Sequence, residues 1–180
     1  GETSRSANWS IYGYNRETTP KLSKVKGLTA FCHVLTESNT THKSVPMLMS
    51  SVSAHDFNSI YQQKSIITTF KEAGYQTAFF SNQRYNHSFI DFFGKEADTC
   101  NFIKENVKHA NYNPSDDELL ELVATELAKN APKQFIVLHT YGSHFNYRER
   151  YPSENAFFLP DFPVDAEVKY KDNLVNAYDN

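Results

Sequence analysis

No apolar run in these 180 residues approaches the roughly 20 that a membrane span requires. No stretch has the pattern of a secretory signal peptide. Basic excess is missing too. Eighteen Lys and Arg stand against 21 Asp and Glu, and a net charge of -3 removes the electrostatic footprint of a nucleic-acid binder. Only two cysteines occur, Cys32 and Cys100, and neither has a second ligand at zinc-type spacing. Nothing in the pattern supports a disulfide between them, and Cys32, inside a strand-like run, reads as a small buried hydrophobe. Repeats and low-complexity tracts are also lacking. What is present is a globular balance of 39% hydrophobic and 22% charged residues, with 11 Tyr and 14 Phe. The aromatics suit a buried core and an aromatic-lined cleft, though a core alone accounts for them. The length suits one domain, residues 1–180.

The chain opens on Gly1-Glu2-Thr3-Ser4-Arg5, which has the look of a strand exit. Tyr12-Gly13-Tyr14-Asn15-Arg16 is a turn. Thr18-Thr19-Pro20 starts a short helix with proline near its first turn, closed by Gly27. Residues 28–34 read as a strand. A hydroxyl cluster follows, Thr36-Glu37-Ser38-Asn39-Thr40-Thr41, and then a helix over residues 45–53 with Pro46 in or near its first turn. Residues 65–74 form a second helix with Ile66, Ile67, Phe70 and Ala73 on one face and Gly74 as its stop. Residues 76–80 form a strand ending in Ser81-Asn82-Gln83-Arg84. Asp91-Phe92-Phe93-Gly94 reads as a turn within an irregular stretch, residues 89–112, that has room for a short helix. Ser115 with Glu118 makes a capping box, and Leu119, Leu120, Val123 and Leu127 are the expected buried face. Residues 135–138 suit a strand covered on both faces, ending in His139-Thr140-Tyr141-Gly142-Ser143-His144. Residues 165–180 look helical. The alternation of strands and helices implies an α/β domain with a mostly parallel sheet.

In such sheets ligands bind beyond the carboxyl ends of the strands. The polar strand ends at residues 36–41, 81–84 and 139–144, with Glu2 as a fourth, therefore point to one site. A strand that empties hydroxyls into a helix N-terminus offers free N–H groups and the positive dipole end to an anion. A threonine there can be a cap, a phosphate ligand or a nucleophile, and caps are the commonest use. A hydroxyl needs a base or a metal beside it to attack at neutral pH. Glu2 and Thr41 could supply half of a four-coordinate zinc site. His144 could donate to a phosphoryl oxygen or protonate a leaving group, and Asn82 could hold an anion oxygen. Each has a plainer reading. Glu2 is an ordinary terminal carboxylate, Asn82 shapes a turn, and a lone histidine after a strand is structural. His139 reads as buried and hydrogen-bonded. His33, His55, His87 and His109 have no partner that the sequence names.

The opening Gly1-Glu2-Thr3-Ser4-Arg5 followed by Tyr12-Gly13-Tyr14-Asn15-Arg16-Glu17-Thr18-Thr19-Pro20 resembles the start of the catalytic domain of phosphoethanolamine transferases. These belong to the sulfatase branch of the alkaline-phosphatase superfamily. Asn39-Thr40-Thr41-His42-Lys43-Ser44-Val45-Pro46 resembles their nucleophile segment, in which a threonine lies three residues before Ser-Val-Pro. Leu138-His139-Thr140-Tyr141-Gly142-Ser143-His144 with Arg150-Tyr151-Pro152 resembles their histidine segment, and Asn176-Ala177-Tyr178-Asp179-Asn180 also matches. The resemblance implies an alkaline-phosphatase/sulfatase-like three-layer sandwich, incomplete at both ends. It implies Thr41 as nucleophile, with Thr40 its competitor, Glu2 and Thr41 as Zn2+ ligands, His144 as a substrate-binding residue and Asn82 as part of the pocket lining. The implied reaction transfers phosphoethanolamine from phosphatidylethanolamine to lipid A or core lipopolysaccharide through a phosphothreonine. The enzyme would sit in the cell inner membrane through segments not in this chain, with its catalytic domain facing the periplasm, and would take no nucleic acid.

Two departures from the family follow. The Asp-His-Gly-Glu motif that completes the metal site is not in these residues, and neither is the strand that precedes Gly-Glu-Thr. Residues 1–180 alone are therefore expected to hold zinc weakly and not to turn over. The family's cysteines near Thr41 are also missing. A sulfatase activity would need Cys/Ser-x-Pro-x-Arg, whereas Ser44-Val45-Pro46-Met47-Leu48 lacks the arginine. A phosphoglycerol transferase and a non-catalytic anion-binding domain remain as alternatives.

Overall fold

The computed structural model describes residues 3–106, 112–161 and 170–180. They form two compact units, one of Gly1–Val34 with Gly142–Asn180, the other of Leu35–Tyr141. Among the described residues no helix is long and apolar enough to cross a membrane.

The Leu35–Tyr141 unit is built on three parallel strands, β1 (Gln76–Ser81), β2 (Thr99–Phe102) and β3 (Gln134–His139), in the order β2-β1-β3. Alternation along β1 sends successive side chains to opposite faces. Phe79 packs on one face with Met49 of α1 (Thr41–Met49), Ile67 of α2 (Ile66–Glu72) and Phe93 of α3 (Phe89–Gly94). Ala78 and Phe80 pack on the other with Leu119, Leu122 and Val123 of α4 (Leu119–Leu127). Both faces of the sheet are therefore covered, the arrangement a parallel sheet requires. Phe79 and Phe80 are buried, and each contributes roughly 1.5–3 kcal/mol of apolar burial.

Local signals account for the helix ends. Ser65 Oγ accepts from the Ile67 amide at 3.1 Å at the start of α2, and Gly74 at φ +81° ends it. The Ser115 and Glu118 capping box forms as expected, with the Ser115 amide donating to Glu118 Oε1 at 2.9 Å. The face it introduces is rotated from the expected one. Leu120 and Leu127 are exposed, while the buried stripe runs through Leu119 to Glu126. Glu126 is tolerated there because Gln76 Nε2 and Lys129 Nζ donate to its carboxylate at 2.9 and 2.6 Å.

Several expectations need correction. Residues 28–34 form no strand, and Phe31, Cys32 and Val34 are exposed. An apolar run becomes a strand only where a partner offers a ladder, and no described strand pairs with this one. Both cysteines are free and exposed. The short helix for which the irregular stretch had room is α3, which takes in residues 91–94 instead of a turn, and β2 follows it. β3 is covered on both faces as expected, Phe135 and Val137 packing on one side and Ile136 on the other, although at the edge of the described strands its residues are only partly buried. The helix expected over 45–53 begins earlier, at Thr41, so Pro46 falls in its second turn, where it has no N–H for the His42 carbonyl.

In the other unit, the short helix near residue 20 is a 3-10 turn at Leu22–Lys24, with Gly27 at φ +75° after it. The final helix, α5, is described over Tyr170–Asp179, and the part expected from residue 165 lies outside the described residues.

Candidate functional site

The sequence places Thr40 and Thr41 side by side, and the backbone separates them. Thr40 is the N-cap residue of α1, extended at φ -121° and ψ 132°, while Thr41 is the first helical residue. The Thr40 hydroxyl makes no cap. It pairs with Ser38 Oγ at 3.2 Å, and its carbonyl accepts from the Lys43 and Ser44 amides at 3.0 and 2.8 Å. Thr41 is half-buried at the positive end of the helix dipole. That end favours an anion or a developing negative charge near Oγ1.

The carboxyl ends of β1 and β3 are tied together in the same unit. Ser81 and His139 are register partners, with Ser81 Oγ and His139 Nδ1 at 3.1 Å. The next amide, Asn82 N–H, donates to the His139 carbonyl at 2.9 Å. Asn82 is buried, and its two amide hydrogens go to the Pro114 carbonyl at 3.0 Å and Asp116 Oδ1 at 2.8 Å. The same Asp116 oxygen accepts from the Tyr141 amide at 2.8 Å. Asn82 thus braces the loop after β3 through Asp116. Its donors are committed there, and only Oδ1, an acceptor, has no hydrogen-bond partner among the described residues.

His144 belongs to the other unit. Its Nδ1 meets the Phe145 carbonyl at 2.8 Å and its ring stacks on Phe145 at 4.7 Å. A carbonyl can only accept, so Nδ1 carries the proton in this contact. Glu2, the fourth expected site residue, lies outside the described residues, as does His109.

The opening segment and α5 meet within that unit. Asp179 accepts from Asn8 Nδ2 at 3.0 Å, Tyr14 OH at 2.9 Å and Arg16 Nη1 at 2.7 Å. Arg16 also donates to Asn176 Oδ1 at 2.8 Å and stacks over Phe158. Burial first, and then the Asp179 carboxylate, push the Tyr14 hydroxyl up from its ordinary pKa. Asn180 accepts from the Phe157 and Phe158 amides at 2.7 and 2.6 Å and donates to Tyr151 OH at 3.1 Å. Burial, then the bond to Asp161, raises Tyr151 to about 12. Tyr178 OH accepts from the Arg5 amide at 2.7 Å and donates to the Thr3 carbonyl at 2.9 Å. Asn176 to Asn180 thus braces the opening motif. The sequence reading missed this, although four polar side chains within one helical turn were a visible signal.

No group of three or more His, Cys, Asp or Glu side chains converges on a metal position among the described residues. Of the expected zinc ligands only Thr41 is described, and a threonine hydroxyl is not a sufficient donor set for zinc.

The family model described as Sulfatase matches residues 1–180. The Kdo(2)-lipid A phosphoethanolamine 7''-transferase of Escherichia coli K12 is 32% identical, over 100% of this chain and 32% of its own length. The phosphatidylethanolamine transferase Mcr-1 of Escherichia coli is 30% identical, over 100% of this chain and 35% of its own. The chain thus spans about a third of these curated relatives. Among solved structures, the C-terminal periplasmic domain of EcEptC from Escherichia coli in complex with Zn superposes with a TM-score of 0.87. It is 26% identical over 99% of this chain and 52% of that one. The soluble domain of lipooligosaccharide phosphoethanolamine transferase A from Neisseria meningitidis gives a TM-score of 0.82, at 26% identity over 99% of this chain and 55% of its own.

Proposed function

The chain belongs to the sulfatase family, and on that premise we propose that it is the N-terminal part of the catalytic domain of a phosphoethanolamine transferase. The donor is phosphatidylethanolamine and the acceptor is lipid A or core lipopolysaccharide. The protein works at the inner membrane with this domain in the periplasm, anchored by segments outside these residues. The position of Thr41 as first residue of α1, beside an N-cap residue whose hydroxyl is turned to Ser38, carries the reading. The similarity of the whole chain to transferases of phosphoethanolamine supports it.

Thr41 is the nucleophile. Its Oγ1 attacks the donor phosphorus, the bond from phosphorus to the diacylglycerol oxygen breaks, and diacylglycerol leaves with the proton that Thr41 gives up. A phosphate or sugar oxygen of the acceptor then attacks the same phosphorus, Thr41 Oγ1 leaves, and the acceptor's proton returns to it. The helix N-terminus stabilises the charge that develops on the phosphoryl oxygens in both steps. His144 binds the substrate's phosphoryl group, and Asn82 shapes the pocket lining by holding the loop after β3. Zinc is the proposed cofactor, with Glu2 and Thr41 among its ligands, supported by the Zn complex of the EcEptC domain. When bound it would lower the charge on the phosphoryl group. The described donor set does not make a zinc site, and no step above runs through it.

The test is transfer by the full-length protein from phosphatidylethanolamine to lipid A in detergent micelles, followed by mass spectrometry of the acceptor. Modified lipid A in the wild type and none in Thr41→Ala supports the proposal. Product in Thr41→Ala, or product only with phosphatidylglycerol as donor, contradicts it.

A further inference from the structure

A cavity beside β2, at the edge of the described sheet, holds charges that the reaction at Thr41 does not use. It measures about 410 Å3 and is lined by Tyr85, Lys95, Cys100, Asn101, Phe102 and Glu105. That size falls within the range of small-ligand sites. Tyr85 forms one wall and is held in place, its ring meeting Phe102 at 5.6 Å and His87 at 4.6 Å, both edge to face. Lys95 Nζ lies 4.1 Å from the Tyr85 ring centroid and donates to the Tyr85 hydroxyl at 2.6 Å. An ammonium carries three hydrogens, so two remain, and the phenol that accepts from it keeps its own hydrogen to give. Burial pushes the Cys100 thiol up and the Lys95 ammonium pulls against that, which puts sulfur and ammonium in the same space. The opposite charge comes from Glu105. Its Oε1 accepts from the Tyr85 amide at 3.0 Å, and among the described residues Oε2 has no donor. Lys95 and Glu105 thus line one cavity without pairing with each other.

We propose that this cavity is a second binding site, separate from Thr41, for a phosphate ester that carries an ammonium group: Lys95 and the Tyr85 hydroxyl take the phosphate oxygens and Glu105 takes the ammonium. A lone anion uses only half of this lining, and a lone cation meets Lys95. A zwitterion meets both charges and leaves neither uncompensated. The choice of phosphate over carboxylate rests on the proposed function, a domain that handles phosphoethanolamine; the pairing of opposite charges rests on the cavity itself. Such a site holds a headgroup apart from the one that reacts.

The experiment follows alkylation of Cys100 by N-ethylmaleimide in the full-length protein, read by peptide mass spectrometry. Cys100 is exposed and lines the cavity, while Cys32, in the other unit, serves as the unprotected reference. The probes are O-phosphoethanolamine, glycerophosphoethanolamine, inorganic phosphate and ethanolamine. With phosphoethanolamine at about ten times its half-saturating concentration, Cys100 labelling is expected to slow about tenfold, because only the empty protein reacts. Phosphate and ethanolamine should need higher concentrations. Protection by the monoester alone marks a free phosphate ester as the ligand; protection by the glycerol diester marks a lipid headgroup. Lys95→Met also changes the reactivity of the thiol, so each variant is judged by its rate with probe against its rate without. Lys95→Met should abolish protection, Glu105→Gln should erase the preference for phosphoethanolamine over phosphate, and Thr41→Ala should remain protected. Equal protection in Lys95→Met, no preference over phosphate in the wild type, or protection lost in Thr41→Ala overturns the inference. No protection in a preparation that transfers phosphoethanolamine to lipid A overturns it alone. Protection in a preparation that transfers nothing supports the site and counts against the proposed function.

Discussion

Arg16 Nη1 lies 2.7 Å from Asp179 Oδ2, and the Asp179 side chain is fully buried. A buried carboxylate with three donors is stable as a set and costly to break. Replacing Arg16 with Met should cost roughly 3 kcal/mol, because the buried Asp179 carboxyl would lose its ion-pair partner. Arg16→Lys should fall between the two. It retains the charge but loses the fork that reaches both Asp179 and Asn176, and the flat face over Phe158. Denaturant unfolding of the purified chain measures both. Equal stability of Arg16→Met and wild type would contradict the role given to this pair.

Asp98 makes the acid response readable. Its carboxyl is held below the usual aspartate range by Lys71 first and by the Thr77 amide and hydroxyl after that. A depressed carboxyl stabilises the fold fully above its unfolded pKa, and loses that contribution as the pH falls through the folded one. The unfolding midpoint should therefore drop as the pH is lowered below about 4, and Asp98→Asn should flatten part of that slope. An identical acid slope in the variant would remove Asp98 as its source.

Gly94 offers a packing test. A Cβ there would stand 2.7 Å from Phe79 Cδ1, too close for either group to remain in place. Gly94→Ala should cost roughly 1–3 kcal/mol by overpacking. Adding Phe79→Leu, which shortens the opposing side chain, should make the alanine less costly than it is alone. A strictly additive double variant in thermal unfolding would show that the two residues do not compete for the same space.

The α/β class, the parallel sheet, the capping box and the Gly74 stop were legible because each rests on a local signal: alternation of residue type, Ser115 with Glu118, a glycine after an apolar helix. What failed depended on neighbours. Residues 28–34 are apolar enough for a strand, yet no described strand pairs with them. Thr99–Phe102 is too short to show alternation, yet β1 offers it an edge. Glu126 is not among the residues expected on the buried face of its helix, yet it is buried where Gln76 and Lys129 donate to it. The threonine segment was singled out by its resemblance to the family's nucleophile segment, through the position of Thr41 three residues before Ser44-Val45-Pro46. The choice between Thr40 and Thr41 as helix residue needed the backbone, because one is extended and the other helical. The bracing of Thr3 and Arg5 by Tyr178 joins residues 175 and 173 positions apart, a distance over which no sequence period operates.

Asn82 links the ends of two strands, and its replacement should separate bracing from simple packing. Asn82→Asp puts an oxygen where two amide hydrogens now face Pro114 and Asp116, and two carboxylates would meet in a buried place. A loss of roughly 3 kcal/mol is expected near neutral pH, partly recovered on acidification as one carboxyl takes up a proton. Asn82→Asp with wild-type stability across pH would contradict the bracing geometry.

The central claim is that Thr41 becomes covalently modified. The most direct measurement incubates the full-length protein with phosphatidylethanolamine and no acceptor, quenches it in acid, and maps modified peptides by tandem mass spectrometry. The account predicts one phosphoethanolamine group on Thr41, retained in Thr40→Ala, absent in Thr41→Ala, and discharged when lipid A is added. A group on Thr40, or no modified hydroxyl while lipid A still becomes modified, would contradict it.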